Sequence, residues 1–241
     1  MGLENMVEGT SYLNNPSIQH GMPGVYVVFE GPFRSGKTTQ SKKVKAYLEK
    51  KFPDREIIWT REPGALDENE NVQSYIAEAI RNVVQGTEFK EQMEPECEAS
   101  LYAASRAQTL RQVVSPALKR GAIVISDRSY LSSCAFQGGG KGLGIEKIYE
   151  INKNAIGKIV PDYIIYIDIS YEEALQRQSD AEGDKHEKEG PEFVKAVRDT
   201  YIKLSKRPEL KDKWITIDGS GTIEEVFSKV KKAVTDFLQS S

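Results

Sequence analysis

The sequence predicts a three-layer α/β/α domain around a five-stranded parallel sheet, and three observations carry that expectation. Short apolar, β-branched runs recur between helical stretches without alternating with polar residues, as strands buried on both faces do. The first run (Val25, Tyr26, Val27, Val28, Phe29) leads directly into Gly31 to Thr38, G-P-F-R-S-G-K-T, which has the form G-x-x-x-x-G-K-[ST]. That loop opens a segment, Thr39 to Phe52, with Val44, Tyr47, Leu48 and Phe52 on one helical stripe. Strand, glycine loop and helix in this order make a phosphate cradle. Its glycines let backbone N–H groups converge, and the helix N-terminus adds partial positive charge. Within it Lys37 reaches the terminal phosphates and Thr38 offers a hydroxyl to Mg²⁺. The expected fold is that of a P-loop nucleoside triphosphate-binding domain, with a nucleoside triphosphate and Mg²⁺ as its ligands.

The remaining elements follow in alternation. Glu56 to Thr60 reads as a second strand and Val72 to Val84 as a helix. Pro95 to Lys119 contains a long helix with no internal proline before Pro116. Ala122 to Ser126, Tyr163 to Ile167 and Trp214 to Ile217 read as the third, fourth and fifth strands. A closing helix, Ile223 to Leu238, sets Ile223, Val226, Phe227, Val230, Val234 and Phe237 on one face. No repeat or linker divides the chain, so residues 24–241 are expected to form a single domain. Residues 1–23, rich in Asn, Ser, Gly and Pro, read as a disordered extension without a signal-peptide core.

Composition narrows the setting. With 33 basic against 36 acidic residues, no bulk attraction to nucleic acid or membrane is implied. Two cysteines, Cys97 and Cys134, make no disulfide framework and suit a reducing cytoplasm. No apolar run approaches the ~18 residues that span a bilayer.

The strand ends hold the candidate site residues. Asp127-Arg128 follows the third strand. A carboxylate there can organise Mg²⁺ and its waters, and the arginine can grip a phosphate bidentately. The competing assignments are a helix N-cap for Asp127 and a surface ion pair for Arg128. Arg61 leaves the second strand within T-R-E-P-G, so two arginines converge on the crevice where open α/β sheets bind ligands. Tyr102 and Arg106 lie four residues apart on one helix face and suit a flat base bearing carbonyl groups, although Tyr102 could equally be a packing residue.

Taken together these segments resemble the thymidylate kinases. The resemblance spans Val25 to Leu238 and rests on F-E-G-P-F-R-S-G-K-T-T-Q, T-R-E-P-G, A-I-R-N-V-V, L-Y-A-A-S-R-A-Q, S-D-R-S-Y-L-S-S-C-A-F-Q-G-G-G-K-G and P-D-Y-I-I-Y-I-D. It implies phosphorylation of thymidine monophosphate (dTMP) by ATP and Mg²⁺, for dTTP synthesis, by a cytoplasmic homodimer. The Tyr102 position then stacks on thymine and Arg106 hydrogen-bonds it. Arg61, Arg81 and Arg128 hold the monophosphate, Ser133 and Gln137 line the base pocket, and Phe136 packs against the deoxyribose. The triphosphate falls to Gly31, Pro32, Phe33, Arg34, Ser35, Gly36, Lys37, Thr38 and Thr39. Arg177 and Gly219 to Thr222 lie on the adenine side.

Two positions depart from the family pattern. Phe33 replaces an acid that contacts the sugar 3′-hydroxyl, a hydrogen bond that phenylalanine cannot accept. Arg34 stands where bacterial-type members have glycine and draw their catalytic arginine from the lid. The lid here, about residues 179–191, holds only Lys185, Lys188 and His186 as cationic candidates. Arg34 is therefore expected to supply the catalytic cation. Lys185 matches a lid arginine but lacks its planar fork, and a solvated role for it stays open. Lys37, Arg34, Asp127 and Arg128 form the expected catalytic set. Two alternatives remain: a P-loop kinase of another nucleoside or nucleotide, and a GTP-dependent switch. The switch is disfavoured because Asn152-Lys153-Asn154-Ala155 lacks the aspartate of N-K-x-D.

Overall fold

Five strands carry the apolar runs: β1 (Val25–Glu30), β2 (Ile57–Arg61), β3 (Ile123–Asp127), β4 (Tyr163–Asp168) and β5 (Trp214–Asp218). In the computed structural model, which describes residues 20–86, 88–177 and 189–239, all pair in parallel in the order β2-β3-β1-β4-β5. Expected strand positions hold to within a residue or so, and the expected sheet of five parallel strands is present.

Alternation along β1 divides the core in two. Val25, Val27 and Phe29 face α1 (Lys37–Lys51) and α9 (Ile223–Gln239). Tyr26 and Val28 face the opposite cluster. That second layer is built from α3 (Pro95–Thr109), α4 (Ser115–Lys119), α5 (Tyr130–Ser133), α6 (Ile145–Ile156) and α8 (Pro191–Ser205). A short α7 (Tyr171–Gln176) follows β4, and α2 (Tyr75–Gln85) packs on α3. One π-helical turn, Leu110–Val114, joins α3 to α4, so Pro116 falls in the first turn of a new helix, where its missing N–H costs little. A second, Cys134–Gly140, continues α5.

Three sequence expectations shift. The helix expected from Val72 starts at Tyr75, because the Ser74 hydroxyl caps it by accepting the Ala77 N–H. Val72 instead forms an isolated bridge with Leu66 and is 39 % exposed. On α9 the buried stripe is Val226, Val230, Val234 and Leu238, whereas Ile223 is 56 % exposed in the first turn. At the N-terminus, residues 1–19 lie outside the described residues, but the chain packs well before residue 24. His20 is buried, its Nε2 lies 2.8 Å from Asp162 Oδ2, and its Nδ1 accepts the Met22 N–H at 3.1 Å. The backbone N–H donating to Nδ1 fixes the tautomer, so Nε2 donates to the carboxylate. Asp162 Oδ2 also accepts the Tyr26 N–H at 2.8 Å, which pins this segment to the opening of β1.

His20→Ala is expected to cost about 1–3 kcal/mol, because it strips a hydrogen-bond partner from a fully buried carboxylate. A lower urea midpoint with an unchanged m-value is the reading that checks it.

Candidate active site

The phosphate loop takes its shape from where side chains cannot fit. A Cβ on Gly31 would sit 2.6 Å from Ser35 Oγ and 2.7 Å from the Ile167 carbonyl oxygen, so the turn closes only around hydrogen. Gly36 opens α1 in the left-handed region, with φ +84°. Arg34 adopts φ +56° without being glycine, a conformation that costs of order 1–3 kcal/mol and persists only where its surroundings hold it. Lys37, at the first position of α1, is buried within the site rather than projecting into solvent. Ser35 Oγ is buried with no hydrogen-bond partner, as suits a loop built to surround something else.

Parallel pairing brings the second half of the site alongside. Phe29 stands opposite Asp127 in the β1–β3 register, and the Arg128 N–H donates to the Phe29 carbonyl at 2.9 Å. The Thr38 hydroxyl hydrogen-bonds Asp127 Oδ2. Asp127 does not cap the following helix: Ser129 does, through its hydroxyl and the Leu131 N–H. Asp127 Oδ1 is buried and has no hydrogen-bond partner. A hydroxyl joined to a carboxylate whose other oxygen is orphaned, beside a phosphate cradle, is an all-oxygen donor set that fits Mg²⁺. No cluster of three His, Cys, Asp or Glu able to hold a metal occurs among the described residues, so the nucleotide's phosphates and water must complete such a site.

Arg128 is no surface ion pair. Its backbone is left-handed (φ +79°), and its Nη1 donates to the Gly31 carbonyl at 3.3 Å and to Ser132 Oγ at 3.1 Å. The guanidinium lies 4.9 Å from the Phe136 ring centre and 5.8 Å from that of Phe33. Those two rings meet edge to face, with centroids 4.8 Å apart. Phe33 thus joins an aromatic wall with Phe136 instead of presenting a hydrogen-bond acceptor.

Two cavities share that wall. The smaller is lined by Tyr102, Arg106, Ser133, Phe136 and Gln137. The larger is lined by Arg34, Lys37, Thr38, Arg61, Arg81 and Asp127. Phe33, Glu62, Pro63, Gln85 and Arg128 face both. The first has the aromatic and amide lining of a base pocket, and the second has the charge of a phosphate pocket. Most of the residues singled out in the sequence are therefore brought together. Pro32 is not: it lines a separate cavity beside α7 and α8. Thr39 is exposed on the first turn of α1. Arg177 spans from the loop, where it donates to the carbonyls of Arg34 and Ser35 at 3.3 Å each, to the Gly219 carbonyl at 2.5 Å. Lys185, His186 and Lys188, with most of the expected lid, lie outside the described residues.

Side chains that sequence reasoning missed hold the predicted ones still. Arg106 is buried and donates through Nε to Glu62 Oε2 at 2.6 Å, through Nη1 to Asn152 Oδ1, and through Nη2 to the Ser129 carbonyl at 3.1 Å. Burial pushes the Glu62 carboxyl up, and the Arg106 guanidinium pulls it back. Gln137 Nε2 donates to Glu98 Oε1 at 2.9 Å on the buried face of α3. Arg61 Nη2 reaches Glu78 Oε2 at 3.2 Å, and Arg81 Nη1 donates to the Pro63 carbonyl at 3.0 Å. Glu62 could have been flagged from its place inside T-R-E-P-G. Glu98 and Asn152 carry no comparable local signal. Asn152 also closes the switch alternative, because it sits in α6 serving Arg106 rather than in a guanine-reading loop.

The family model for thymidylate kinase matches residues 29–230. The chain belongs to the thymidylate kinase family. The thymidylate kinase of Thermosipho africanus is 37 % identical over 216 residues, covering 90 % of this chain and all of that protein. That of Finegoldia magna is 40 % identical over 85 % of this chain and 95 % of its own length. The crystal structure of thymidylate kinase from Ehrlichia chaffeensis superposes with a TM-score of 0.69 at 25 % identity, covering 88 % of this chain and 98 % of that one. The chemistry is that of a dTMP kinase, with ATP as phosphoryl donor and dTMP as acceptor. A kinase of some other nucleotide is not favoured. No helix among the described residues is long and apolar enough to cross a membrane.

The base pocket gives a direct test. Tyr102→Ala is expected to raise the KM for dTMP by an amount equivalent to ~1–3 kcal/mol, the worth of aromatic–base stacking. The KM for ATP should hardly move in the same steady-state assay.

Proposed function

We propose that the two cavities divide the reaction between them. Thymine enters the smaller one, stacked on Tyr102 beneath Arg106, with Ser133 and Gln137 lining it and Phe136 against the deoxyribose. The monophosphate then lies at the shared wall, gripped by Arg128, with Arg61 and Arg81 across the larger cavity. The triphosphate of ATP wraps into Gly31–Thr38, and Arg177 and Gly219 frame its adenine side. The contiguity of an aromatic pocket with a cationic one across the Phe33–Arg128 wall carries this reading.

No protein nucleophile is required. The acceptor phosphate is already anionic near neutral pH, so the work is positioning, charge neutralisation and exclusion of water. Lys37 and Arg34 neutralise charge on the transferring phosphoryl group, while Arg128 and Arg61 hold the acceptor in line. Thr38 and Asp127 would hold Mg²⁺, which would supply positive charge to offset that on the phosphates during transfer. The absence of an acceptor at Phe33 means that the sugar 3′-hydroxyl is recognised by other groups than the loop side chain. Homodimerisation belongs to the same proposal. The α2 helix leaves Tyr75, Ile76 and Val83 exposed, with Phe89 following, an apolar strip that a second copy would cover. A cytoplasmic location fits two free thiols, one of them exposed.

Lys37→Ala is expected to abolish turnover while the thermal unfolding midpoint shifts little, since the lysine adds charge to the site rather than packing to the core. Retained turnover would remove the phosphate-loop assignment. Arg34→Gly should lower kcat by a factor of ~10³ to 10⁵ with the acceptor KM nearly unchanged. The same change relieves a left-handed non-glycine residue, so stability should hold or rise by up to about 1 kcal/mol. Lys185→Ala should cost less, and the reverse ranking in stopped assays would place the catalytic cation in the lid.

A further inference from the structure

Glu30 ends β1 one residue before the phosphate loop, and no step described above uses it. Its side chain is fully buried but hydrogen-bonded on both oxygens. Ser129 Oγ donates to Oε1 at 2.7 Å, while Ser132 Oγ and the Tyr201 hydroxyl donate to Oε2 at 2.6 and 2.8 Å. Each donor belongs to a different part of the machinery. Ser132 Oγ is the acceptor for Arg128 Nη1, and the Ser129 carbonyl is the acceptor for Arg106 Nη2. Tyr201 lies on α8, which opens at Pro191, where the expected lid ends.

The directions of these bonds matter. A serine hydroxyl has a single proton. With the Ser132 proton committed to Glu30, only lone pairs remain to face Arg128, which is the polarity a guanidinium needs. An uncharged side chain at position 30 would leave that proton free to turn toward Arg128 and the Tyr201 oxygen, which lies 3.1 Å away. Burial pushes the Glu30 carboxyl up, while the three hydroxyls and Arg128 pull it back. An isolated buried carboxylate is costly, and an apolar residue at the same place would fold more cheaply.

We propose that Glu30 is a positioning residue for the acceptor nucleotide, fixing Arg128 through Ser132 and tying that hold, through Tyr201, to α8. This rests on the reading of Arg128 as the grip on the acceptor phosphate. Steady-state kinetics on full-length Glu30→Gln, Tyr201→Phe and Arg128→Lys separates the two. Glu30→Gln should raise the KM for dTMP about ten- to a hundred-fold, the scale of one lost charge-assisted hydrogen bond. The KM for ATP should stay within about twofold, because the donor site keeps its loop contacts. Tyr201→Phe should raise the same KM less, by about tenfold at most, since it removes one of three donors. If Arg128→Lys leaves the KM for dTMP unchanged, the reading of Arg128 fails, and the inference falls with it. If Arg128→Lys weakens dTMP but a folded Glu30→Gln does not, the inference alone is overturned. Equal rises in both KM values would mark Glu30 as a purely structural residue and also overturn it. Should Glu30→Gln not fold, Tyr201→Phe decides, and an unchanged KM for dTMP overturns the proposal.

Discussion

Parallel pairing of β1 with β3, with Phe29 opposite Asp127, is the constraint on which the reactive end of the molecule depends. Because both strands run the same way, the loop after one and the Asp127-Arg128 step after the other emerge side by side. The Thr38–Asp127 hydrogen bond and the grip of Arg128 on the Gly31 carbonyl then lock the two loops together. The strand order adds the opening. The chain leaves β1 toward β2 and β3 on one side and reaches β4 and β5 on the other, which makes the crevice above β1 the natural ligand site of an open α/β sheet.

Stability is spent at this edge rather than gathered there. Three non-glycine residues with left-handed backbones, Arg34, Glu70 and Arg128, line the phosphate cavity. Beneath them lie the buried carboxylates of Glu30 and Glu62, dependent on hydroxyls and the guanidiniums of Arg128 and Arg106 for compensation. Such a buried Arg–Glu pair contributes little net stability, because desolvation offsets attraction. It does fix Arg106 in one rotamer at the base pocket. The apolar clusters on the two faces of the sheet supply the folding energy that this edge consumes.

The sheet was legible because its strands are short apolar runs, and a buried parallel strand leaves little room for any other pattern. The phosphate loop was legible because its residue types answer to backbone geometry, as the contacts around Gly31 show. Helix ends were less so: Ser74 decides where α2 begins, and apolar spacing alone had included the exposed Val72. The supporting shell was least legible. Glu98, Asn152 and Ser132 act with partners dozens of positions away (Gln137, Arg106 and Glu30), Asn152 lying 46 positions from Arg106, and no local spacing marks them. Pro32 belongs to the motif, while its ring lines a separate cavity beside α7 and α8, a placement that no motif spells out.

The clasp between His20 and Asp162 sits at the far end of the sheet from the nucleotide crevice. Asp162 immediately precedes β4, and the Tyr26 amide it holds is near the opening of β1, whereas the phosphate loop and the Asp127-Arg128 step lie at the strands' other ends. His20, the first described residue, is therefore fixed at the back of the molecule. A solid support grafted at this clasp would hold the enzyme from behind, leaving the mouth of the cleft turned outward and open to diffusing nucleotides. The C-terminal helix α9, which packs along the sheet beside α1, ends at the same edge, where Phe237 stacks on Tyr163 at the opening of β4 with ring centroids 4.3 Å apart.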